Sequence, residues 1–326
     1  MKAIICSEWG KPEKLTLGEL PSPTVKASEV RIGIHACGIN FADTLIVQGL
    51  YQEKPTFPFT PGSEIAGEVL EVGAGVTHLN VGDRVAALCS IGGMAEEVVA
   101  HAASVVPIPA EMEYPTAAGF MVAYGTAHVA LEHRAKLQAG ETLLVHGAAG
   151  GVGLAAVEIG KQMGATVIAT ASTAEKLAIA KAHGADHLIN YRDEPEFRNQ
   201  VKELTNGKGA NVILDPVGGD VFNQSMRCIA WEGRLLVIGF ASGTIPKVPA
   251  NLTLVKNVSV VGLYWGAYNK HDPKVLTDSL STLYKWFVAG HLKPHISQTF
   301  PLEEAADALN FLIDRKATGK VVVETR

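Results

Sequence analysis

The segment His146-Gly147-Ala148-Ala149-Gly150-Gly151-Val152-Gly153 lies between an apolar strand pattern at residues 142–146 and a helical pattern at residues 151–163. A strand, a glycine-rich turn and a helix in this order are the context that the dinucleotide-binding fingerprint requires. Gly150 would let the backbone approach a pyrophosphate, and Gly153 would let the helix lie close to the sheet. The backbone amides at the helix start would bind the negative phosphates. The predicted contacts are Ala149, Gly150, Gly151, Val152 and Gly153.

The fingerprint alone is weak, because Ala148 replaces its first glycine and any α/β protein can contain a glycine-rich turn. The surrounding pattern decides between these interpretations. Strand patterns occur at residues 142–146, 166–170, 187–190, 211–215, 234–239 and 258–263, and helical patterns at residues 151–163, 174–182, 196–205 and 221–229 lie between them. Strands joined by helical crossovers predict a parallel, doubly wound sheet, the Rossmann fold.

The remaining sequence has a different texture. Residues 1–122 consist of short strand patterns divided by Gly and Pro, which predicts a β-rich, barrel-like unit. Helical patterns at residues 279–289 and 302–313 precede a last strand at residues 321–323, which we expect to pack on the N-terminal unit. We therefore predict an α/β protein of two domains, residues 1–122 with 266–326, and residues 123–265.

Composition excludes several function classes. The 326 residues are 47% hydrophobic and carry a net charge of −5, which gives no basic surface for nucleic acid. The four cysteines form no C-x-x-C pair, so neither a structural zinc lobe nor a redox dithiol is indicated. The apolar run at residues 3–6 is too short for a signal peptide, and no apolar stretch is long enough for a bilayer. We expect a cytoplasmic protein without nucleic-acid or membrane partners.

The end of the second strand pattern indicates which dinucleotide binds. An NAD site usually has an acidic residue there, bound to the ribose 2′-hydroxyl. This sequence has Thr170-Ala171-Ser172-Thr173 instead, and Ser172, Lys176 and Tyr191 could surround a 2′-phosphate. The alternative is that residues 172–175 form a capping box and that Lys176 is a solvated helix lysine. The missing acid favours NADPH over NADH.

Taken together, these motifs resemble the medium-chain dehydrogenase/reductases, and among them the zinc-free quinone oxidoreductase (zeta-crystallin-like) group. The motifs are G-I-N-F-A-D at residues 38–43, G-L-Y at 49–51, P-G-S-E at 61–64, G-D-R-V at 82–85, A-A-G-G-V-G at 148–153 and I-N-Y-R at 189–192. The resemblance spans essentially the whole chain. It implies a GroES-like catalytic domain plus a Rossmann domain, and a homodimer.

The same resemblance implies that this chain holds no catalytic zinc. Zinc-containing members have a Cys, a His and a second Cys at the active site, and the matching positions here are Asn40, Ser63 and Ala118. An amide, a hydroxyl and a methyl group are poor ligands for Zn²⁺. Without that Lewis acid we expect acceptors that are already activated, such as quinones and conjugated enones, rather than alcohols.

Candidate catalytic residues are Asn40 and Tyr51, each of which could donate a hydrogen bond to a carbonyl that gains negative charge. The alternatives are a turn amide satisfied by backbone for Asn40, and a packed loop aromatic for Tyr51. Asp43 and Glu64 are expected to be structural. The resemblance implies that residues at two strand ends line the nicotinamide, and Lys320 is either a further cofactor contact or a surface residue. The remaining cofactor predictions are Asn40, Gly239, Phe240, Leu263, Tyr264, Trp265 and Lys320.

Three functions are compatible with the sequence. The first is an NADPH:quinone reductase. The second is an NADPH-dependent reductase of the C=C bond in enones or enoyl thioesters, for which the loop at residues 52–60, with two Phe, could form a substrate wall. The third is a non-catalytic NADPH-binding protein with a structural or regulatory role.

Overall fold

A computed structural model describes residues 1–193 and 195–326. Contacts between backbone positions divide the chain into two compact units, residues 1–122 with 294–326, and residues 123–293. Each unit is described by itself below.

The elements are numbered in chain order. The strands are β1 (Lys2–Ile5), β2 (Thr16–Glu19), β3 (Glu29–Ile39), β4 (Glu64–Val72), β5 (Arg84–Leu88), β6 (Glu97–His101), β7 (Val105–Pro107), β8 (Thr142–Val145), β9 (Thr166–Ala171), β10 (His187–Asn190), β11 (Ala210–Asp215), β12 (Ile229–Val237), β13 (Ser259–Gly262), β14 (Ile296–Pro301) and β15 (Lys320–Glu324). The helices are α1 (Phe41–Val47), α2 (Tyr114–Ala118), α3 (Met121–His128), α4 (Gly151–Gln162), α5 (Ala174–Ala182), α6 (Phe197–Leu204), α7 (Gly219–Cys228), α8 (Ala250–Lys256), α9 (Tyr268–His271), α10 (Pro273–Val288) and α11 (Ala305–Ile313). None of the helices described is both long enough and apolar enough to cross a bilayer.

The first unit is built on a seven-stranded sheet in the order β14-β15-β3-β4-β5-β7, with β6 also paired to β3. The C-terminal strand β15 runs antiparallel to β3, with Val321 opposite Ile39, and parallel to β14. The last strand therefore packs on the N-terminal unit, as the sequence predicts. Alternate residues of β3, such as Ile32 and Ile34, are fully buried in the core of this unit.

The second unit contains a six-stranded sheet in the order β10-β9-β8-β11-β12-β13, and every neighbouring pair is parallel. Counted within the unit, this is the 3-2-1-4-5-6 order of a doubly wound dinucleotide-binding fold. The predicted fold class is confirmed. All six strands end at one edge of the sheet, and the strand order reverses between β8 and β11, which is where ligands bind in such folds.

The second unit extends further along the chain than predicted, because residues 266–293 belong to it and not to the GroES-like unit. The reason is visible in α10, which packs against the π-helical turn Val129–Arg134. Nδ1 of His128 lies 2.9 Å from the Ser279 hydroxyl, and the His128 ring meets the Trp286 ring edge-on at 5.3 Å. These contacts join α10 to α3.

Candidate active site

The glycine-rich segment forms the turn between β8 and α4. Gly150 is the residue before the helix, and no side chain caps it. The turn is held by backbone hydrogen bonds from Ala148 N to Thr170 O at 3.0 Å and from Gly150 N to Gly147 O at 2.9 Å. Since the first amides of an α-helix have no intrahelical acceptors, those of Gly151, Val152 and Gly153 point out of the helix start. A helix start of this kind can bind a phosphate group, and the contact with a pyrophosphate stays a prediction here.

Two glycines of the turn serve different purposes. A Cβ added at Gly153 would lie 2.2 Å from Gly147 O and 2.9 Å from the Ala148 Cα, so helix and strand could not approach as they do. A Cβ at Gly150 would meet only Gly147 O, at 3.4 Å, and its φ of −81° is ordinary. The chain itself therefore does not require glycine at 150. Open space in front of this residue fits a phosphate group approaching the backbone.

His146 lies beneath the turn and is structural. Its Nδ1 is 2.9 Å from the Thr170 hydroxyl, and its Nε2 is 2.8 Å from the Ser225 hydroxyl. Burial lowers its pKa to about 4, so the imidazole is neutral at physiological pH. Both nitrogens are engaged, which leaves no role as a base.

The residues predicted to contact the ribose lie where β9 and β10 end side by side. Tyr191 N donates to Ala171 O at 3.2 Å, which brings Tyr191 next to Ser172. The predicted capping box at residues 172–175 is wrong by one position, because Thr173 is the cap and accepts from Lys176 N at 3.3 Å. Ser172 therefore lies outside the cap, and the end of β9 carries no carboxylate.

The turns after β11 and β12 pack on one another at the same sheet edge. Ala241 N donates to Pro216 O at 3.0 Å, and Ser242 N donates to Val217 O at 2.9 Å. A Cβ at Gly218 would lie 3.1 Å from the Phe240 ring. The predicted residues Gly239 and Phe240 thus lie at the carboxyl edge of the sheet.

Of the three residues after β13, two continue along the sheet edge and the third packs against a helix. Leu263 N continues the ladder to Val237 O at 3.1 Å, and Tyr264 is exposed beyond it. Trp265 instead packs against α3, where a Cβ on Gly125 would lie 2.7 Å from the indole ring. Its buried indole nitrogen has no hydrogen-bond partner among the residues described. Packing within the second unit is therefore a sufficient role for Trp265, and whether it also contacts a cofactor stays a prediction.

The first unit contains a buried polar cluster formed by Asn40, Glu64 and Lys320. Lys320 Nζ donates to Asn40 Oδ1 at 2.7 Å and to Glu64 Oε2 at 2.9 Å. Asn40 Nδ2 donates to Glu64 Oε2 at 3.0 Å. Sheet register builds the cluster, because Ile39 pairs with Val321 and Gly38 with Glu64. Lys320 is only 6% exposed, so the alternative that it is a surface residue is wrong, and its contact with the cofactor stays a prediction.

Asp43 lies in the first turn of α1, and Tyr51 follows the end of this helix. Asp43 Oδ2 accepts from Asn40 N at 2.7 Å, and burial raises the pKa of this carboxyl to about 6. Tyr51 is half-buried and packs against the core of the first unit. Its predicted contact with a substrate stays a prediction. Of the two Phe in the loop at residues 52–60, Phe59 is buried in that core and Phe57 is exposed.

The positions that match zinc ligands do not form a metal site. The Asn40 amide is engaged with Glu64 and Lys320, the backbone oxygen of Ser63 accepts from Cys89 N at 2.9 Å, and Ala118 is buried. Across residues 1–193 and 195–326, no group of three or more His, Cys, Asp or Glu side chains is placed to hold a metal ion. The donors present do not suit Zn²⁺.

A GroES-like sheet with a Rossmann sheet defines the class of medium-chain dehydrogenase/reductases, and comparison with known proteins agrees. Residues 26–110 match the family "Alcohol dehydrogenase GroES-like domain", and residues 151–282 match the family "Zinc-binding dehydrogenase". The chain is 47% identical to the quinone oxidoreductase-like protein 2 homolog of Nematostella vectensis, over 100% of this chain and 89% of that protein.

Solved structures give the same assignment. Escherichia coli quinone oxidoreductase complexed with NADPH is 31% identical with a TM-score of 0.92, covering 100% of both chains. The CurK enoyl reductase is 29% identical with a TM-score of 0.91, covering 100% of this chain and 99% of that one. The chain belongs to the zinc-free quinone oxidoreductase group of the medium-chain dehydrogenase/reductase superfamily.

Proposed function

We propose that this chain is an oxidoreductase that uses NADPH. The observation that carries the proposal concerns Gly150. Neither its backbone conformation nor its packing requires glycine, whereas a phosphate group close to the backbone would require it. The end of β9 without a carboxylate, next to Ser172 and Tyr191, suits a 2′-phosphate better than a free hydroxyl. A homologous quinone oxidoreductase of known structure binds NADPH. The nicotinamide, when bound, supplies the hydride.

We further propose that the acceptor is a quinone. No residue set in the described part of the chain offers a Lewis-acid metal site, so the protein must rely on hydrogen bonds to stabilise developing negative charge. Asn40 is the candidate donor, because one of its amide hydrogens makes only a long contact, 3.4 Å to Gly38 O. Quinones accept hydride without further activation of their carbonyl.

The test is a panel of acceptors, with 1,4-benzoquinone and a naphthoquinone among them, assayed with NADPH and with NADH. We expect turnover of quinones with a clear preference for NADPH. No turnover with any quinone would contradict the proposed acceptor, and a preference for NADH would contradict the assignment of the 2′-phosphate site.

Reduction of a conjugated C=C bond is the second candidate, and the likeness to the CurK enoyl reductase favours it. Assays with an enal, an enone and crotonyl-CoA in the same panel distinguish the two activities. Inactivity on all three counts against this candidate. Tight NADPH binding without reduction of any acceptor would instead point to the non-catalytic alternative.

We also propose that the chain forms a homodimer through β13 and α8. β13 is an edge strand of its sheet, and no residue of α8 is buried. Leu254 and Val255 are 76% and 61% exposed, respectively. A second copy would cover both the strand edge and the apolar side chains. Light scattering should give twice the monomer mass, and Leu254→Asp should shift it toward the monomer; a monomeric parent protein would contradict the proposal.

A further inference from the structure

The amide of Asn40 lies between one group that can only donate hydrogen bonds and one that can only accept them. Its oxygen accepts from Lys320 Nζ at 2.7 Å, and its nitrogen donates to Glu64 Oε2 at 3.0 Å. An ammonium has no acceptor and a carboxylate has no donor. Turning the amide over would put donor against donor and oxygen against oxygen. The pair therefore fixes one of the two amide orientations.

The two charged residues are themselves held in place. Lys320 Nζ lies 2.9 Å from Glu64 Oε2, and the side chains are 7% and 0% exposed, respectively. The other carboxylate oxygen of Glu64 accepts from Val122 N at 2.8 Å. A buried ion pair adds little net stability compared with apolar residues of similar volume. Stability alone is therefore a weak reason for these residues, whereas orientation of a third group is a sufficient one.

The orientation decides where the remaining hydrogen of the amide points. One hydrogen on Nδ2 is committed to Glu64, and the other faces Gly38 O at a long 3.4 Å. We propose that Glu64 and Lys320 are positioning residues, which hold the Asn40 amide so that its second N–H donates to the carbonyl oxygen of the acceptor. This inference rests on the proposed reduction of a carbonyl-containing acceptor by NADPH.

A double-mutant cycle between Asn40→Ala and Lys320→Met tests the proposal. Each single variant should lower kcat with a quinone by roughly a hundred- to a thousand-fold, the range expected for loss of one donor to a developing oxyanion. In the Asn40→Ala background, Lys320→Met should cause no further loss, because Lys320 acts through the amide. Additive losses would overturn the proposal.

Two further variants separate positioning from structural damage. Lys320→Arg keeps a donor-only group and should recover part of the kcat lost in Lys320→Met. Lys161→Met is the matched control, because Lys161 Nζ also donates to a carboxylate, Asp186 Oδ2 at 2.7 Å, and to a carbonyl oxygen, Ala165 O at 3.2 Å. It should lower stability but not kcat. An equal loss of kcat in Lys161→Met would show that the Lys320 effect is merely structural.

A readout without turnover keeps the inference distinct from the proposed function. In ¹⁵N-labelled protein, the Asn40 side-chain NH₂ resonances, identified by their loss in Asn40→Ala, should move in Lys320→Met and exchange faster with water. If the parent protein reduces no acceptor but these resonances respond, the orientation by Lys320 stands and the proposed function fails. Unchanged resonances in Lys320→Met would overturn the inference whatever the activity.

Discussion

Gly150 and Gly153 are expected to be glycine for different reasons, Gly150 to leave room for a phosphate group and Gly153 to let the helix and strand pack closely. Gly150→Ala should cost less than about 1 kcal/mol of stability, the order expected for exchanging glycine for alanine before a helix. It should nevertheless weaken NADPH binding at least ten-fold, because the methyl group occupies the space in front of the turn. Urea denaturation and fluorescence titration measure the two effects.

Gly153→Ala is the matched control for this prediction. Its Cβ would lie 2.2 Å from a backbone oxygen, so stability should fall by more than it does in Gly150→Ala. Normal NADPH affinity in Gly150→Ala would show that the phosphate lies elsewhere.

Ser172 is the position at which selectivity between the two dinucleotides should be decided. Ser172→Asp places a carboxylate at the end of β9, where it repels a 2′-phosphate and accepts from a ribose 2′-hydroxyl. We expect the ratio of kcat/KM for NADPH to that for NADH to fall by at least ten-fold. Ser172→Ala, which removes the hydroxyl without adding charge, should shift the ratio much less. Equal effects of the two variants would contradict the electrostatic explanation.

His146 should make the protein sensitive to acid. Its pKa is about 4 in the folded state against 6.5 for the free side chain. As the pH falls, the unfolded chain therefore binds a proton at a higher pH than the folded chain does. The contribution of His146 to the free energy of unfolding is fully present above pH 6.5. It decreases by up to about 3 kcal/mol as the pH falls toward 4.

The comparison that isolates this effect is His146→Gln, whose amide does not titrate. Between pH 6.5 and 4 the parent should lose more stability in urea denaturation than the variant. The raised pKa of Asp43 gives the opposite trend between 3.8 and about 6 in both proteins, so it cancels in the comparison. Parallel pH profiles would contradict the neutral His146.

At the scale of elements, the close approach of β3 and α2 depends on one residue. A Cβ on Gly38 would lie 1.9 Å from Ala118 O and 3.2 Å from Glu64 Oε2. Gly38→Ala should therefore destabilise the protein by about 2 kcal/mol or more, because the backbone of β3 or α2 must move to make room for the methyl group. Gly266→Ala, where nothing lies within 4 Å of the added Cβ, should change stability by less than about 1 kcal/mol. Similar melting temperatures for both variants would contradict this packing.

Elements with a strong local pattern could be predicted from sequence, and those without one could not. Helix α5 has the predicted bounds, and each strand of the doubly wound sheet overlaps a predicted one, although β12 begins at Ile229, five residues before its predicted start. Helix α8 was missed because it buries no residue, and so has no apolar face to recognise. Strand β14, with the sequence I-S-Q-T-F-P, was missed because its extended form comes from pairing with β15.

The candidate site divides in the same way. The phosphate turn is continuous in sequence, and its strand–turn–helix context made it predictable. The cluster of Asn40, Glu64 and Lys320 joins distant parts of the sequence. Its ion pair, between Glu64 and Lys320, spans 256 positions. The registers of β15 against β3 and of β3 against β4 bring them together, and no local pattern encodes these registers. Lysine at the start of an apolar strand was the one available sign of a buried charge.

In the whole molecule, one unit is continuous in sequence and the other is not. The second unit is one continuous stretch, residues 123–293, whereas the first unit combines residues 1–122 with 294–326. The second unit can therefore complete its core from sequential neighbours, while the sheet of the first unit needs both ends of the chain.

The pairing of β15 with β3 has a consequence during synthesis. When residue 122 leaves the ribosome, β3 still lacks its C-terminal neighbour, and at 5–20 residues per second the rest of the chain takes roughly 10–40 s to appear. In that interval the nascent chain presents an unpaired, apolar strand edge, which is a template for pairing with other chains on the same messenger RNA. We expect β3, one of the first strands made, to be among the last to gain all its neighbours, and ribosome-bound chaperones to be needed until Glu324 emerges.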